Sequence, residues 1–573
     1  MQDMTAQKMT SGTANYSDLI AQMTAPGSPF ELEEAAPGQL RRFAQRPQNL
    51  GQLFPRIEAY GDQECIIFGD ARVSYKDFAY RIRRLAGGLS AIGEIGDRVA
   101  ILGANHPDWI ASFWAAVLAG MTPVALNGWW RGAELSHGLH LTGASILIGD
   151  KKRIGKMPAE VAQEIRGRLF IWDEPGDELG GMAQPLSALL GEPLTTLPEL
   201  DEHHPASMMF TSGTTGRAKA AVISHGAWIA ASMNIALTTA VELARAPHLN
   251  TATGTVKLLA SLPFFHVGGG QGAVLGGLIG GQTIVIPHGR FDADDTLRMI
   301  ADEKITRWSA VPAMVHKVCL LGNPEALDLS SLNTLGYGAA PSHPNLRERA
   351  QALFPSLGAV SNAYGLTETS GIIAMNTGID LENHPGSVGR AFATADIRIV
   401  DEYEDELPVG EKGEVQVRGP FVMSGYWNNP EETAKMISPE GWLRTGDTGR
   451  LDTEGFLYLL GRKKDIIIRG GENISAEEVE HCIESHPEVN EVAVVAMPSD
   501  LYGEEVRAIV RLKREGTVNE TVLQEWVGGA LSHFKIPSVI EFTGKPLPRN
   551  AAGKLLKNEL RGSANSQFDE FFS

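Results

Sequence analysis

The sequence predicts an α/β fold, with parallel sheets covered by helices on both faces and a compact α+β unit towards the C-terminus. Three observations carry this expectation. Short apolar runs alternate with helical patterns of about ten to fifteen residues from near residue 50 onward, as in strand–helix–strand units. The chain changes character near residue 461, where the cationic knot "GRKKD" separates "FLYLL" from "IIIRGGENIS". At 573 residues the chain exceeds the usual single-domain size, so several units with their own cores are expected.

Taken in order, residues 1–49 are polar and proline-punctuated, an N-terminal extension with one short helix expected at "YSDLIAQM". "SYKDFAYRIRRLAGGLSAIG" has an N-cap serine, Ser74, followed by apolar residues at helical spacing. "DRVAIL" (97–102) reads as a strand, "HPDWIASFWAAVLAG" as a helix closed by glycine, and "TPVAL" as another strand. "ASILIGD" and "GRLFIWD" repeat the pattern, and after the apolar run "SMMF" the stretch "AAVISHGAWIAASM" looks helical. No formal charge occurs between Lys257 and Arg290, and "VLGGLIGGQTIVIP" is strongly apolar. Pro263, His266 and scattered glycines break that stretch, so a buried core with a strand at "TIVIP" is expected rather than a membrane span. Beyond 461, Ser475 and Glu478 form a capping box ahead of the helix "AEEVEHCIES". Strands "EVAVVAM" and "VRAIVRL" and a helix "TVLQEWVGGAL" complete a unit of about a hundred residues, hung on a hinge at 461–465.

Composition narrows the function classes. The net charge of −19 argues against a nucleic-acid partner and for a self-repelling surface. Cys65, Cys319 and Cys482 are far apart and lack metal-ligand spacing, which fits structural thiols in a reducing, cytoplasmic setting. The N-terminal "MQDMTAQKMTSGTANYSD" has no apolar core and does not read as a secretory signal.

"TSGTTGRAKAAVISH" (211–225) suits phosphate. Its glycines let backbone N–H groups approach an anion, its hydroxyls add neutral donors, and Lys219 adds charge. The spacing is not that of a Walker A loop. In "NAYGLTET" (362–369), Tyr364 could stack on a base, Thr367 bond a phosphate and Glu368 hold Mg²⁺, although the stretch alone is an ordinary turn. "GWLRTGDTGRLDTEGFLYLLGRKKD" supplies Asp447, able to accept from both ribose hydroxyls, and Arg462 for the same sugar or a phosphate. "PLPRNAAGKLLK" sets Lys554 on a glycine–proline loop.

Together these motifs resemble, in order and spacing from about residue 50 to 557, the acyl- and aryl-CoA synthetases of the adenylate-forming superfamily. That superfamily includes peptide-synthetase adenylation domains and firefly-type luciferases. One departure stands out: Ala218 and Ala220 occupy the positions of the family's proline and last glycine, which implies altered loop stiffness. The resemblance implies an N-terminal adenylation domain over 50–461, made of two α/β subdomains and a smaller β-barrel-like subdomain, and a mobile C-terminal α+β domain over 462–573. It further implies an AMP-forming ligase that converts a carboxylic acid and ATP to an acyl-adenylate and pyrophosphate, then transfers the acyl group to coenzyme A. Thr211, Ser212, Gly213, Thr214, Thr215, Gly216 and Lys219 would hold the outer phosphates of ATP. Thr367 would touch the α-phosphate, Glu368 would bind Mg²⁺, Tyr364 would pack on adenine, and Asp447 with Arg462 would fix the ribose. Lys554 would bridge the carboxylate and the α-phosphate as charge builds. Lys464 matches the hinge and Gly471 the glycine beside the pantetheine channel.

"LPFFHVGGGQG" (262–272) and "YGAAP" (337–341) match the family's acyl pocket, giving His266, Gly268, Gly338, Ala339 and Ala340. His266 is either a gate near the carboxylate or a packed core histidine. Gly268, Gly269 and Gly270 remove side chains behind it, which leans towards a fatty, alicyclic or otherwise bulky apolar acid, unless large neighbours such as Trp228 refill the space. Two alternatives stay within adenylation, an acyl-AMP ligase that loads a carrier protein and an aryl-CoA ligase. A catalytically dead scaffold would have no reason to keep Lys219, Glu368, Asp447, Arg462 and Lys554 together. Small molecules are the expected partners, with a homodimer left open.

Overall fold

The computed structural model describes residues 15–561 apart from 34–35, 37–38, 131, 166, 174–180, 212–217, 246–254, 325, 339–344, 463–464, 470–471, 500–501, 532 and 551–553. Three sheets organise them.

The first sheet has eight strands. Arg98–Leu102, Thr122–Ala125, Ile146–Gly149, Leu169–Ile171 and Pro205–Thr211 run parallel, as the alternating pattern predicts. One expectation fails here. The first half of "AAVISHGAWIAASM" is the strand Lys219–Ser224, antiparallel to Pro205–Thr211, and the helix starts only at His225. Ala220 to Ile223 are buried in the sheet, and this burial outweighs alanine's helix propensity. The Ser224 hydroxyl accepts the Ala227 N–H at 3.1 Å and so marks the true start of the helix.

The second sheet has thirteen strands. Its parallel part comprises Glu64–Phe68, Thr283–Val285, Lys257–Leu259, Arg307–Ala310, Thr334–Gly338 and Ala359–Leu366. From Gly371–Thr377 onward the strands are antiparallel, and the barrel-like part, from Gly389–Ala391 to Phe456–Arg462, continues the same hydrogen-bonded ladder. Helices Tyr75–Ile92 and Pro107–Leu118 lie between the two sheets and share one core with both. Ser74 caps the first of them, accepting the Asp77 N–H at 3.1 Å. Trp109 and Trp114 are fully buried, and the Trp114 indole N–H donates to the Val274 carbonyl at 2.8 Å. Burying each ring contributes about 2–3 kcal/mol; the Trp114 indole satisfies its donor, whereas the Trp109 Nε1 has no partner among the described residues.

The apolar stretch within 257–290 forms short strands around a π-helical segment, Gly270–Gly277. One described helix, His225–Arg245, is long and apolar enough to cross a membrane, and half of its most apolar window is buried inside the protein. The N-terminal helix Tyr16–Met23 packs on it, around Phe43, Leu237 and Val241.

The third sheet has five strands and its own core around Ile467, Val479, Val494, Val510 and Leu523. Its first strand, Ile466–Arg469, follows directly after Arg462, the last residue of the large sheet. Ser475 caps the helix Ala476–Glu484 as expected, but Glu478 does not complete the box, because its carboxylate receives Lys535 at 2.7 Å.

Candidate active site

In open α/β sheets ligands gather beyond the carboxyl ends of parallel strands. Thr211 ends one such strand, Gly338 another, and Thr367 follows Leu366 at the end of a third. All three border one cavity of about 1590 Å³. Lys219, His266, Gly268, Glu368 and Lys554 border it too, so residues far apart in sequence converge on a single space. Ser212, Gly213, Thr214, Thr215, Gly216, Ala339, Ala340, Lys464 and Gly471 lie outside the described residues, as does the Arg462 side chain.

Lys219 forms an ion pair with Glu432, and its ammonium lies 4.9 Å from the centre of the Tyr426 ring. Hydrogen bonds from Lys219 and then Lys435 hold the Glu432 carboxyl down at about 2. The Tyr426 hydroxyl donates to Glu368 at 2.7 Å, and burial followed by the Glu368 charge raises its pKa well above the ordinary phenol value. Tyr426 reaches this place through a two-residue strand, Gly425–Tyr426, that pairs with Lys219–Ser224. Neither Tyr426 nor Glu432 is singled out by the sequence. A tyrosine on the short strand beside the one carrying Lys219 becomes visible only once that long-range pairing is known.

Tyr364 and Asp447 stand just behind the cavity wall formed by Ala363, Gly365 and Gly446. Both are buried, and the Tyr364 hydroxyl donates to the Asp447 carboxylate at 2.6 Å. Asp447 sits opposite Arg462 in the ladder between Leu443–Leu451 and Phe456–Arg462, so the two positions share one rung. Gly365 is required sterically, because a Cβ there would collide with the Gly371 carbonyl.

Lys554 comes from the five-stranded unit. Its N–H donates to the Asn550 side chain at 2.9 Å and its carbonyl accepts the Asn550 N–H at 2.8 Å. This fixes the main chain of an exposed residue at the cavity edge.

Small and aliphatic residues line much of the remaining wall. Along the helix His225–Arg245, Ser232, Ile235, Ala236, Thr239, Ala240 and Leu243 face the cavity at helical spacing. On the sheet, Ser309, Gly336 and Ser361 lie in one register row, with Arg307, Thr334 and Ala359 two residues back along each strand. The alternate residues Trp308, Leu335 and Val360 point into the opposite core. The glycine run divides in its roles. Gly269 and Gly270 serve close packing, since a Cβ would clash with the Pro263 carbonyl or the Met209 methyl group. Gly268 and Gly272 open space, with at most the Leu262 side chain near an added Cβ at Gly268 and nothing within 4 Å at Gly272. Trp228 is fully buried and donates to Ser207 at 2.9 Å. His266 borders the cavity, its Nε2 lacks a partner among the described residues, and burial lowers its pKa to about 4, so the ring is neutral at pH 7.

Among the described residues no cluster of three histidine, cysteine or acidic side chains could hold a metal by itself. Glu368, next to Tyr426 and at a cavity that also presents Lys219, fits an ion held mainly by substrate phosphates.

A family model described as "AMP-binding enzyme" matches residues 53–427, and the model of its C-terminal domain matches 478–554. A feruloyl-CoA synthase from an Amycolatopsis species is 34% identical, covering 86% of this chain and 94% of that protein. An indoleacetate–CoA ligase of Aromatoleum aromaticum is 33% identical over 87% of this chain and 94% of its own length. A long-chain-fatty-acid–CoA ligase of Bacillus subtilis is 32% identical, with 87% and 92% covered. Among solved structures, o-succinylbenzoate CoA synthetase of Bacillus subtilis with its acyl-adenylate intermediate superposes with a TM-score of 0.74 at 28% identity, over 91% of this chain and 100% of that one. An amide bond synthetase of Marinactinospora thermotolerans gives a TM-score of 0.76 at 27% identity, over 89% and 99%.

Proposed function

This chain belongs to the AMP-binding enzyme family, as an AMP-forming acyl-CoA ligase, and from that premise we propose which acid it takes and which residues serve each step. The acid has a bulky apolar body, fatty or alicyclic. The observation that carries this is the lining of the cavity by Ala236, Thr239 and Ala240 on the helix and by Ser309, Gly336 and Ser361 on the sheet, with open space above Gly272. An aryl acid is the second reading, favoured by the feruloyl and indoleacetate substrates in the names of two relatives.

A carboxylate is a poor electrophile, and adenylation converts it into a mixed anhydride with AMP as leaving group. The transition state concentrates negative charge on the α-phosphate and the departing pyrophosphate, so catalysis depends on positioned cations and donors. Lys219 exchanges Glu432 for the outer phosphates, which the 211–216 loop also grips. Thr367 donates to the α-phosphate, and Lys554 neutralises charge between the carboxylate and that phosphate. Glu368 would hold Mg²⁺, which supplies charge neutralisation when bound. Asp447, oriented by the Tyr364 hydroxyl, accepts from the ribose with Arg462 beside it, and the neutral His266 borders the acyl end. Residues 50–461 form the adenylation domain, and 462–573 form a domain that turns about Lys464 to bring Gly471 towards the pantetheine arm. The three widely spaced thiols support a reducing, cytoplasmic setting.

The test is pyrophosphate release with ATP and Mg²⁺ across a panel of acids, each with and without coenzyme A, with products identified by mass. Long or alicyclic acids are expected to outpace small aromatic ones. The reverse order would replace the bulky-acid reading with the aryl one.

A further inference from the structure

The cavity holds a cation that adenylation does not use. Arg307 starts the strand Arg307–Ala310 and faces the cavity together with Ser309, on the side opposite the buried Trp308. Its side chain has no hydrogen-bond or ion-pair partner among the described residues, and its Nε is buried and unsatisfied. Burial lowers its pKa, and no neighbouring carboxylate offsets the effect. A guanidinium sunk into a wall without an anion is costly, and natural proteins retain one where a ligand completes it.

Its position gives that ligand a length. Arg307 pairs with Thr334, and Gly338 ends the Thr334–Gly338 strand at the adenylation end of the cavity. Four residues of strand separate the two rungs by on the order of 13 Å. Between them the sheet presents Ser309, Gly336 and Ser361, a smooth floor against which an apolar chain can lie.

We propose that the acid is bifunctional, with an apolar body carrying a second carboxylate that Arg307 binds at the far end of the acyl channel. This rests on the acyl-CoA ligase reading above and deepens it. A carboxylate matches the planar guanidinium fork and neutralises its charge, which a methyl end cannot do and a ketone does only in part. The first carboxylate, at the Lys554 end, is the one activated.

The experiment uses the full-length enzyme and three acids on one carbon skeleton, ending in methyl, ketone or carboxylate, with CoA-dependent AMP release as readout. The dicarboxylic acid is expected to exceed the methyl-ended acid by about tenfold or more in kcat/KM. Arg307→Met should abolish that preference by raising KM for the dicarboxylic acid, while kcat with the methyl-ended acid holds. Arg307→Gln, which keeps a donor and loses the charge, gives the same comparison if the methionine variant does not fold. A methyl- or ketone-ended acid that equals or beats the dicarboxylic one overturns the proposal, as does a preference unchanged in the variants. Either result leaves the ligase standing, whereas absence of CoA-dependent AMP release with every acid overturns both readings.

Discussion

Lys554 is held through its own backbone by Asn550, so its side chain reaches the cavity without relying on the packing of the side chain itself. Removing the ammonium should therefore change chemistry and leave the fold intact. Lys554→Ala is expected to lower adenylation, read as pyrophosphate release, by about 10²–10³-fold. Thioester formation from a supplied acyl-adenylate should stay within a few-fold of the parent enzyme. Equal losses in both half-reactions would remove Lys554 from its assigned step. Lys219 differs, because Glu432 already holds its charge and ATP must displace that carboxylate. Lys219→Ala is expected to raise KM for ATP more than it lowers kcat, and steady-state kinetics with varied ATP would expose the opposite split.

Among the elements, those built from local pattern were legible in the sequence. Ser74, the alternating strands from Arg98 to Ile171 and the helix after Ser475 follow from caps and periodicity. Lys219–Ser224 was not, because alanines that favour a helix are recruited into a sheet by a partner strand, Pro205–Thr211, across the intervening loop. The placing of Tyr426, Glu432 and Arg307 depends on contacts distant in sequence, so no spacing rule announces them. The glycine run shows the limit of composition, since adjacent glycines in "GGGQG" split between packing and open space. That split gives a prediction at Gly272, where an added side chain enters the cavity and meets nothing nearby. Gly272→Phe is expected to cut kcat/KM for long or alicyclic acids by about tenfold or more and to spare short ones, as overpacking costs about 1–3 kcal/mol. Equal kinetics for both classes across a chain-length series would place the acyl body elsewhere.

At the scale of the molecule, the C-terminal unit meets the large sheet through charge as well as shape. Burial, and next the neighbouring Glu480, raise Glu477 to about 7; Asp447 adds to this, while Lys557 and Lys554 oppose it. A raised carboxyl stabilises this arrangement fully below the ordinary glutamate value of about 4.5, and the contribution is lost as pH rises through about 7. Adenylation, which needs Lys554 at the cavity, should weaken relative to thioester formation above pH 7, and Glu477→Gln should flatten that profile. A half-reaction pH profile with the same inflection in the variant would clear Glu477 of the effect. A last consequence follows from the pleat of the sheet. Because Arg307, Ser309, Gly336 and Ser361 alternate with Trp308, Leu335 and Val360, each strand spells two interleaved messages. One is read by the core and must stay constant, while the other is read by the ligand and is free to be rewritten one letter at a time. Insertion or deletion of a single residue would exchange the two and lose both, so point substitution is the route by which new specificities can arise on this scaffold.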